Sequence, residues 1–111
     1  MPQKSMPQYV CLLKFSEGGV RAIKGSPQRL QNLKNLIKDF GGKLNNFYIL
    51  MGEYDFILLL EMPNDEAMAT LSLSLSSGGS VRATSLKAFT EAEFKRIVDK
   101  IPETPFSKSH G

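Results

Sequence analysis

The residues best placed for chemistry are Tyr54 and Asp55, which follow Gly52-Glu53 and lead directly into the apolar run Phe56 to Leu60. A carboxylate beside a phenol at the foot of an apolar strand can act as a base or acceptor with a hydrogen-bond donor at its side. The same pair also has a structural role open to it, and this is the reading the residues favour. Asp55 then accepts amides from the turn at Gly52-Glu53, and Tyr54 fills the end of the core. Gly52 supplies a backbone conformation that other residues resist. Tyr48, on the neighbouring strand, either lines the same cleft as Tyr54 or packs in the core, with packing favoured. Arg82 and Lys14 take their faces from strand alternation. On an inner face they would bind a carboxylate or phosphate; the competing reading is a salt bridge to Glu61 or Asp55. Arg29 stands just inside a helix near Arg21 and Lys24. It forms either an anion site with the helix N-terminus or part of a solvated helix face, the latter being favoured.

Several chemistries are excluded by what the chain lacks. One cysteine, Cys11, and one histidine, His110, cannot assemble a Cys/His metal site. No ordered histidine is expected, which removes serine triads. The Gly-Gly pairs do not form a phosphate loop, because Lys43 lacks both the following Ser or Thr and the spaced glycine. No cofactor is therefore expected. The net charge of +3 is scattered among acidic residues rather than gathered on a basic face, which argues against nucleic acid. No apolar run approaches the ~20 residues of a membrane span, and nothing at the start resembles a signal peptide. A lone cysteine excludes an internal disulfide and favours a reducing compartment. The expected location is the cytoplasm.

The elements that must position these residues follow from periodicity and punctuation. With 111 residues, 41% hydrophobic and 23% charged, the chain fits one globular domain. Tyr9 to Phe15 reads as a first strand, broken by Ser16-Glu17-Gly18-Gly19, with one helical turn at Val20 to Lys24. Ser26-Pro27 opens a helix, with Ser26 as cap. Leu30, Leu33, Leu36, Ile37 and Phe40 form its apolar stripe, and Gly41-Gly42 stops it. Phe47 to Met51 and Tyr54 to Met62 form an antiparallel hairpin across a tight Gly52-Glu53 connection. Asn64 or Asp65 caps a helix from Glu66 to Ser76 that buries Met68, Leu71 and Leu75, and Val81 to Phe89 is a fourth strand. Thr90 and Glu93 have capping-box spacing before a last helix that carries Phe94, Ile97, Val98 and Ile101 on one face. The domain is expected over residues 8–101, with tails at 1–7 and 102–111. The order is β-α-β-β-α-β plus a terminal helix. This is an α+β, ferredoxin-like arrangement with a four-stranded antiparallel sheet whose first two helices cover one face.

The other sheet face decides how the chain behaves. The third strand is apolar on both sides at its centre, with Phe56, Leu58 and Leu60 against Ile57 and Leu59. The first strand repeats this, with Tyr9, Cys11 and Leu13 against Val10 and Leu12. A sheet with one wet face should instead alternate apolar with polar. Two helices cover only one face, so the second is expected to stack on another copy in an isologous dimer. The terminal helix folding over it is the alternative.

A set of local motifs carries a family resemblance. They are Tyr9-Val10 with Leu12 and Lys14; Ser26-Pro27 with Arg29; Gly41-Gly42-Lys43; Phe47-Tyr48; Gly52-Glu53-Tyr54-Asp55-Phe56; Glu61 with Pro63 and Asp65-Glu66; Gly79 with Val81-Arg82; and Phe89-Thr90 with Glu93. On these residues the chain resembles the GYD-domain family, small proteins of uncharacterised function in the dimeric α/β-barrel group. It departs where Ser16 stands for a frequent threonine and Met62 for a usual alanine. A weaker resemblance runs to the effector domain of feast/famine-type transcription regulators, in which amino acids bind between subunits; the helix-turn-helix of those regulators is missing here. The doubly apolar sheet and the few polar groups beside it point to a homo-oligomer that binds a small molecule in the cleft between helices and sheet or at the subunit interface. The residues bordering that site would be Tyr54, Asp55, Arg82 and Lys14. Two alternatives stand beside it. One is a cofactor-free isomerase or oxygenase, an analogy with the wider barrel group. The other is a purely structural assembly module.

Overall fold

A computed structural model describes residues 6–103. Strand β1 (Gln8–Phe15) leads through a short helix α1 (Glu17–Arg21) and a 3-10 turn (Ile23–Gly25) into α2 (Ser26–Asp39). Strands β2 (Lys43–Ile49) and β3 (Phe56–Glu61) follow, then α3 (Asp65–Ser77), β4 (Val81–Ala88) and α4 (Glu91–Asp99). All strand pairs are antiparallel and the sheet order is β2-β3-β1-β4. This is the expected ferredoxin-like arrangement, with the two apolar strands, β1 and β3, at the centre. The tails expected at 1–7 and 102–111, with His110, lie largely outside the described residues. Pro7, assigned to the first tail, is tied to the sheet, its carbonyl accepting the Met62 amide at 3.1 Å.

The core lies between the sheet and the helices α2 and α3. Tyr9, Cys11 and Leu13 of β1 and Leu58 and Leu60 of β3 point into it, and Leu33 and Ile37 of α2 with Met68 and Leu71 of α3 close over them. Asn64 caps α3 by accepting the Ala67 amide at 2.8 Å. The capping box at the start of α4 is complete: Thr90 Oγ1 accepts from the Glu93 amide, and the Glu93 carboxylate accepts from the Thr90 amide.

Four local expectations are corrected. The strand breaks at Ser16 as expected, but the helical turn expected at Val20 to Lys24 starts earlier, at Glu17. Ser16 caps α1, its Oγ accepting the Gly19 amide at 3.0 Å, and both glycines are helical. Gly19 is buried because a Cβ there would sit 1.9 Å from the Ser80 carbonyl oxygen, so the glycine lets α1 lie against the start of β4. Ser26 is not the cap of α2. Gly25 holds that position without a side-chain bond, and Ser26 Oγ instead accepts from Arg29. Strand β2 starts at Lys43 rather than Phe47, with a register shift between Leu44 and Asn46. Strand β3 starts at Phe56 rather than Tyr54, so β2 and β3 are joined by the six residues 50–55 and not by a two-residue turn.

The second sheet face is open. Val10, Leu12, Ile57 and Leu59 lie on it, each directly paired with a neighbour across the strands, and Leu86 is 48% exposed there. Helix α4 does not cover this face. It has no substantial packing partner; Phe94 on it remains 60% exposed, and Ile101, two residues past its end rather than within it as expected, is 61% exposed.

Candidate functional site

The functional groups picked out in the sequence separate into three places. Asp55 and Tyr54 sit in the β2–β3 connection, both half-buried. Asp55 Oδ2 accepts the Phe15 amide at 2.7 Å. The Asp55 amide donates to Leu13 O at 2.9 Å, and its carbonyl accepts from Leu50 N at 2.8 Å. One residue thus ties the end of β1 to both sides of the connection. This corrects the expected detail, since the amide held is that of Phe15 and not one from Gly52-Glu53. Gly52 has φ +131° with open space where a Cβ would be, so it is there for its backbone conformation.

Lys14 and Arg82 are paired directly across β1 and β4 on the open face, and both are exposed. Neither forms the salt bridge with Glu61 or Asp55 that is one of the two readings open to them. Among the described residues the ion pairs are Arg21–Glu17 and Lys87–Asp65, and Glu61 accepts from Asn45 Nδ2 at 2.9 Å. Two cations directly opposite each other across strands repel. Tyr48 is also on the open face, 53% exposed beside Ile57, so it is not a core residue.

Arg29 stands apart from these groups and lines an open cavity under the helices. That cavity has a volume of about 440 Å³ and lies between α2, the C-terminal end of α3 and the sheet. It exists because α2 packs on the β2 side and α3 on β4, with no substantial contact between the two helices. Its floor is aromatic. Phe56 meets Phe15 edge-on at 5.0 Å between ring centres and stacks against Phe47 at 5.4 Å. Leu30, Leu33, Leu36, Leu75 and Val81 form the apolar walls. Arg29 Nη2 donates to Ala22 O at 3.0 Å and to Ser26 Oγ at 3.2 Å. Of the two cations near it in the sequence, Arg21 is paired with Glu17 at 3.1 Å.

A polar cluster that sequence reasoning missed lies at the other end of the helix-covered face. The Tyr9 hydroxyl donates to Asp65 Oδ1, and Lys87 Nζ donates to the same oxygen at 3.1 Å while sitting 5.1 Å from the Tyr9 ring centre. The Tyr9 bond and the Lys87 ammonium hold the Asp65 carboxyl below its ordinary range, and Asp65 in turn raises Lys87. Burial, helped by Asp65, pushes the Tyr9 hydroxyl up. A phenol held protonated and a carboxylate held ionised favour a fixed clasp between β1, β4 and α3 over proton transfer. The signal was the direct pairing of Tyr9 with Lys87, which needs the β1–β4 register. Cys11 is buried, and that burial raises its thiol. No cluster of three or more metal-ligating side chains occurs among the described residues, and none of their helices is long and apolar enough to cross a membrane.

The family profile described as GYD domain matches residues 9–98. A protein of Thermus thermophilus, named glutamine synthetase and cystathionine beta-lyase binding protein, is 29% identical over 89 residues. The alignment covers 79% of this chain and 94% of that protein. The crystal structure of MtbAldR superposes with a TM-score of 0.60 at 17% identity, covering 78% of this chain and 55% of the longer one. At that identity the likeness is one of fold.

Proposed function

The chain belongs to the GYD family, and we propose that it is a non-catalytic, self-pairing binding module whose helix–sheet cleft takes a small molecule. The observation that carries this reading is the cleft. A cavity of about 440 Å³ with aromatic floor and aliphatic walls falls in the size range of small-molecule sites and matches their mostly apolar lining with few polar groups. The pairing reading rests on the open sheet face, where Val10, Leu12, Ile57, Leu59 and Leu86 stand together without a covering helix. A second copy laid on this face buries both sets, and the exposed stripe of α4 is free to cross onto it. The commitment of Asp55 to the Phe15 amide supports binding over the isomerase or oxygenase alternative, because it leaves no base aimed into the cleft.

A second reading takes the open surface to a protein partner. It is favoured by the stripe Phe94, Ile97, Val98 and Ile101, an anchor pattern suited to another protein's groove. The Thermus relative's name as a binding protein for two enzymes agrees with it.

Sedimentation velocity separates the two. Self-pairing predicts a dimer or larger at micromolar concentration that Leu59→Glu converts to monomer. A wild-type monomer would contradict self-pairing and leave the face to a foreign partner.

A further inference from the structure

We infer that the cleft selects a monocarboxylic acid with an apolar body, its carboxylate held by Arg29. This rests on the cleft being a small-molecule site. Arg29 is half-buried at the edge of an otherwise apolar cavity and has no carboxylate partner among the described residues. Its Nη2 is spent on Ala22 O and Ser26 Oγ, which fix the guanidinium in place. The Nε–H and Nη1 donors find no acceptor among the described residues and remain for a ligand. Gly25 leaves room for that orientation, since a Cβ there would stand 3.0 Å from Nη1.

A fixed guanidinium beside apolar walls recognises a planar oxyanion by charge-assisted hydrogen bonds. The lining supplies no acidic side chain, so a cationic or zwitterionic head would meet no anion there and would face Arg29 itself. The remaining polar liners, Ser26, Asn32, Ser74 and Ser80, are few and neutral, and the space beyond them is hydrocarbon and aromatic ring. The volume equals about fifteen waters at roughly 30 Å³ each, room for one aryl group or a chain of about ten carbons. A highly polar ligand such as a sugar would leave its hydroxyls unpaired against that floor.

The test is calorimetric titration of the full chain with decanoate and 1-naphthylacetate, each against its neutral primary amide. The acids should bind and the amides should bind roughly 10- to 100-fold more weakly. Arg29→Gln should remove that preference, Arg29→Lys should keep part of it, and Arg21→Gln, on a cation already paired with Glu17, should leave it intact. Melting curves of each variant establish that it is folded. If acid and amide bind equally and Arg29→Gln changes nothing, the acid selectivity is overturned while the cleft stands as an apolar site. If neither class binds the wild type, the small-molecule reading of the cleft falls with it.

Discussion

Replacing Asp55 separates the structural reading of the Gly52-Glu53-Tyr54-Asp55 segment from a chemical one. Its carboxylate makes one charge-assisted bond, 2.7 Å to the Phe15 amide, and its backbone makes two more. Asp55→Ala removes only the first. Hydrogen bonds to charged groups contribute about 1.5–3 kcal/mol, and an orphaned buried amide costs a similar amount. The site is half-buried, so water recovers part of the loss. The expected cost is therefore about 1–2 kcal/mol for Asp55→Ala. For Asp55→Asn, which keeps a neutral oxygen acceptor, it is roughly half that. The assay is urea unfolding at one fixed chain concentration, because self-association would couple concentration to stability. The midpoints should fall in the order wild type, Asn, Ala with an unchanged slope. An Ala variant as stable as wild type would refute the reasoning, and so would an Asn variant as damaged as Ala. The first would mean that the carboxylate adds nothing to the fold, the second that its charge rather than its acceptor oxygen is what the fold uses.

Other consequences are as specific. Gly19→Ala should cost at least about 2–3 kcal/mol in thermal or urea unfolding through overpacking, because its Cβ would lie 1.9 Å from Ser80 O. Gly18→Ala, whose Cβ would meet only Ser16 Oγ at 3.9 Å, should be neutral or stabilising. Cys11, fully buried with its thiol raised, should react with a disulfide reagent only at the rate of unfolding, readable from the absorbance of the released thiolate. Acid should weaken the fold through Asp65. Its carboxyl is held below the ordinary value of ~3.9 by Tyr9 and Lys87, so its contribution is complete above that value and is lost as pH falls through it toward the folded one. Urea midpoints measured from pH 6 to pH 3 should fall less steeply for Asp65→Asn than for wild type.

The centre of the fold is legible in the sequence and its margins are less so. Strands β1 and β3 are apolar on both faces, which is a strong signal, and the α2 stripe from Leu30 to Phe40 is unambiguous in period. Strand β2 reads as starting four residues late because Lys43-Leu44-Asn45-Asn46 looks like a loop. It is an edge strand, paired on one side only, so its residues answer to solvent as much as to the sheet, and the shift at Asn45 interrupts its alternation. The glycines at 18 and 19 mark the end of the strand but hide the helix they belong to, because the use of Gly19, the close approach of Ser80, comes from a segment about sixty residues away. For the candidate site, residue type identifies the polar groups but not their grouping. Alternation places Lys14 and Arg82 on their strands, but whether that face is covered depends on the course of α4. Arg29 is readable as a cation near a helix start. Its position at the edge of an apolar cavity follows from the separation of α2 and α3, which no local pattern encodes.

Native mass spectrometry of the full chain purified from its own host tests the central claim most directly, because it counts copies and retained ligand together. The expected result is a dimer or larger assembly in which chains carry an added small mass that acid treatment releases as an organic acid. A bare monomer at micromolar concentration would contradict it.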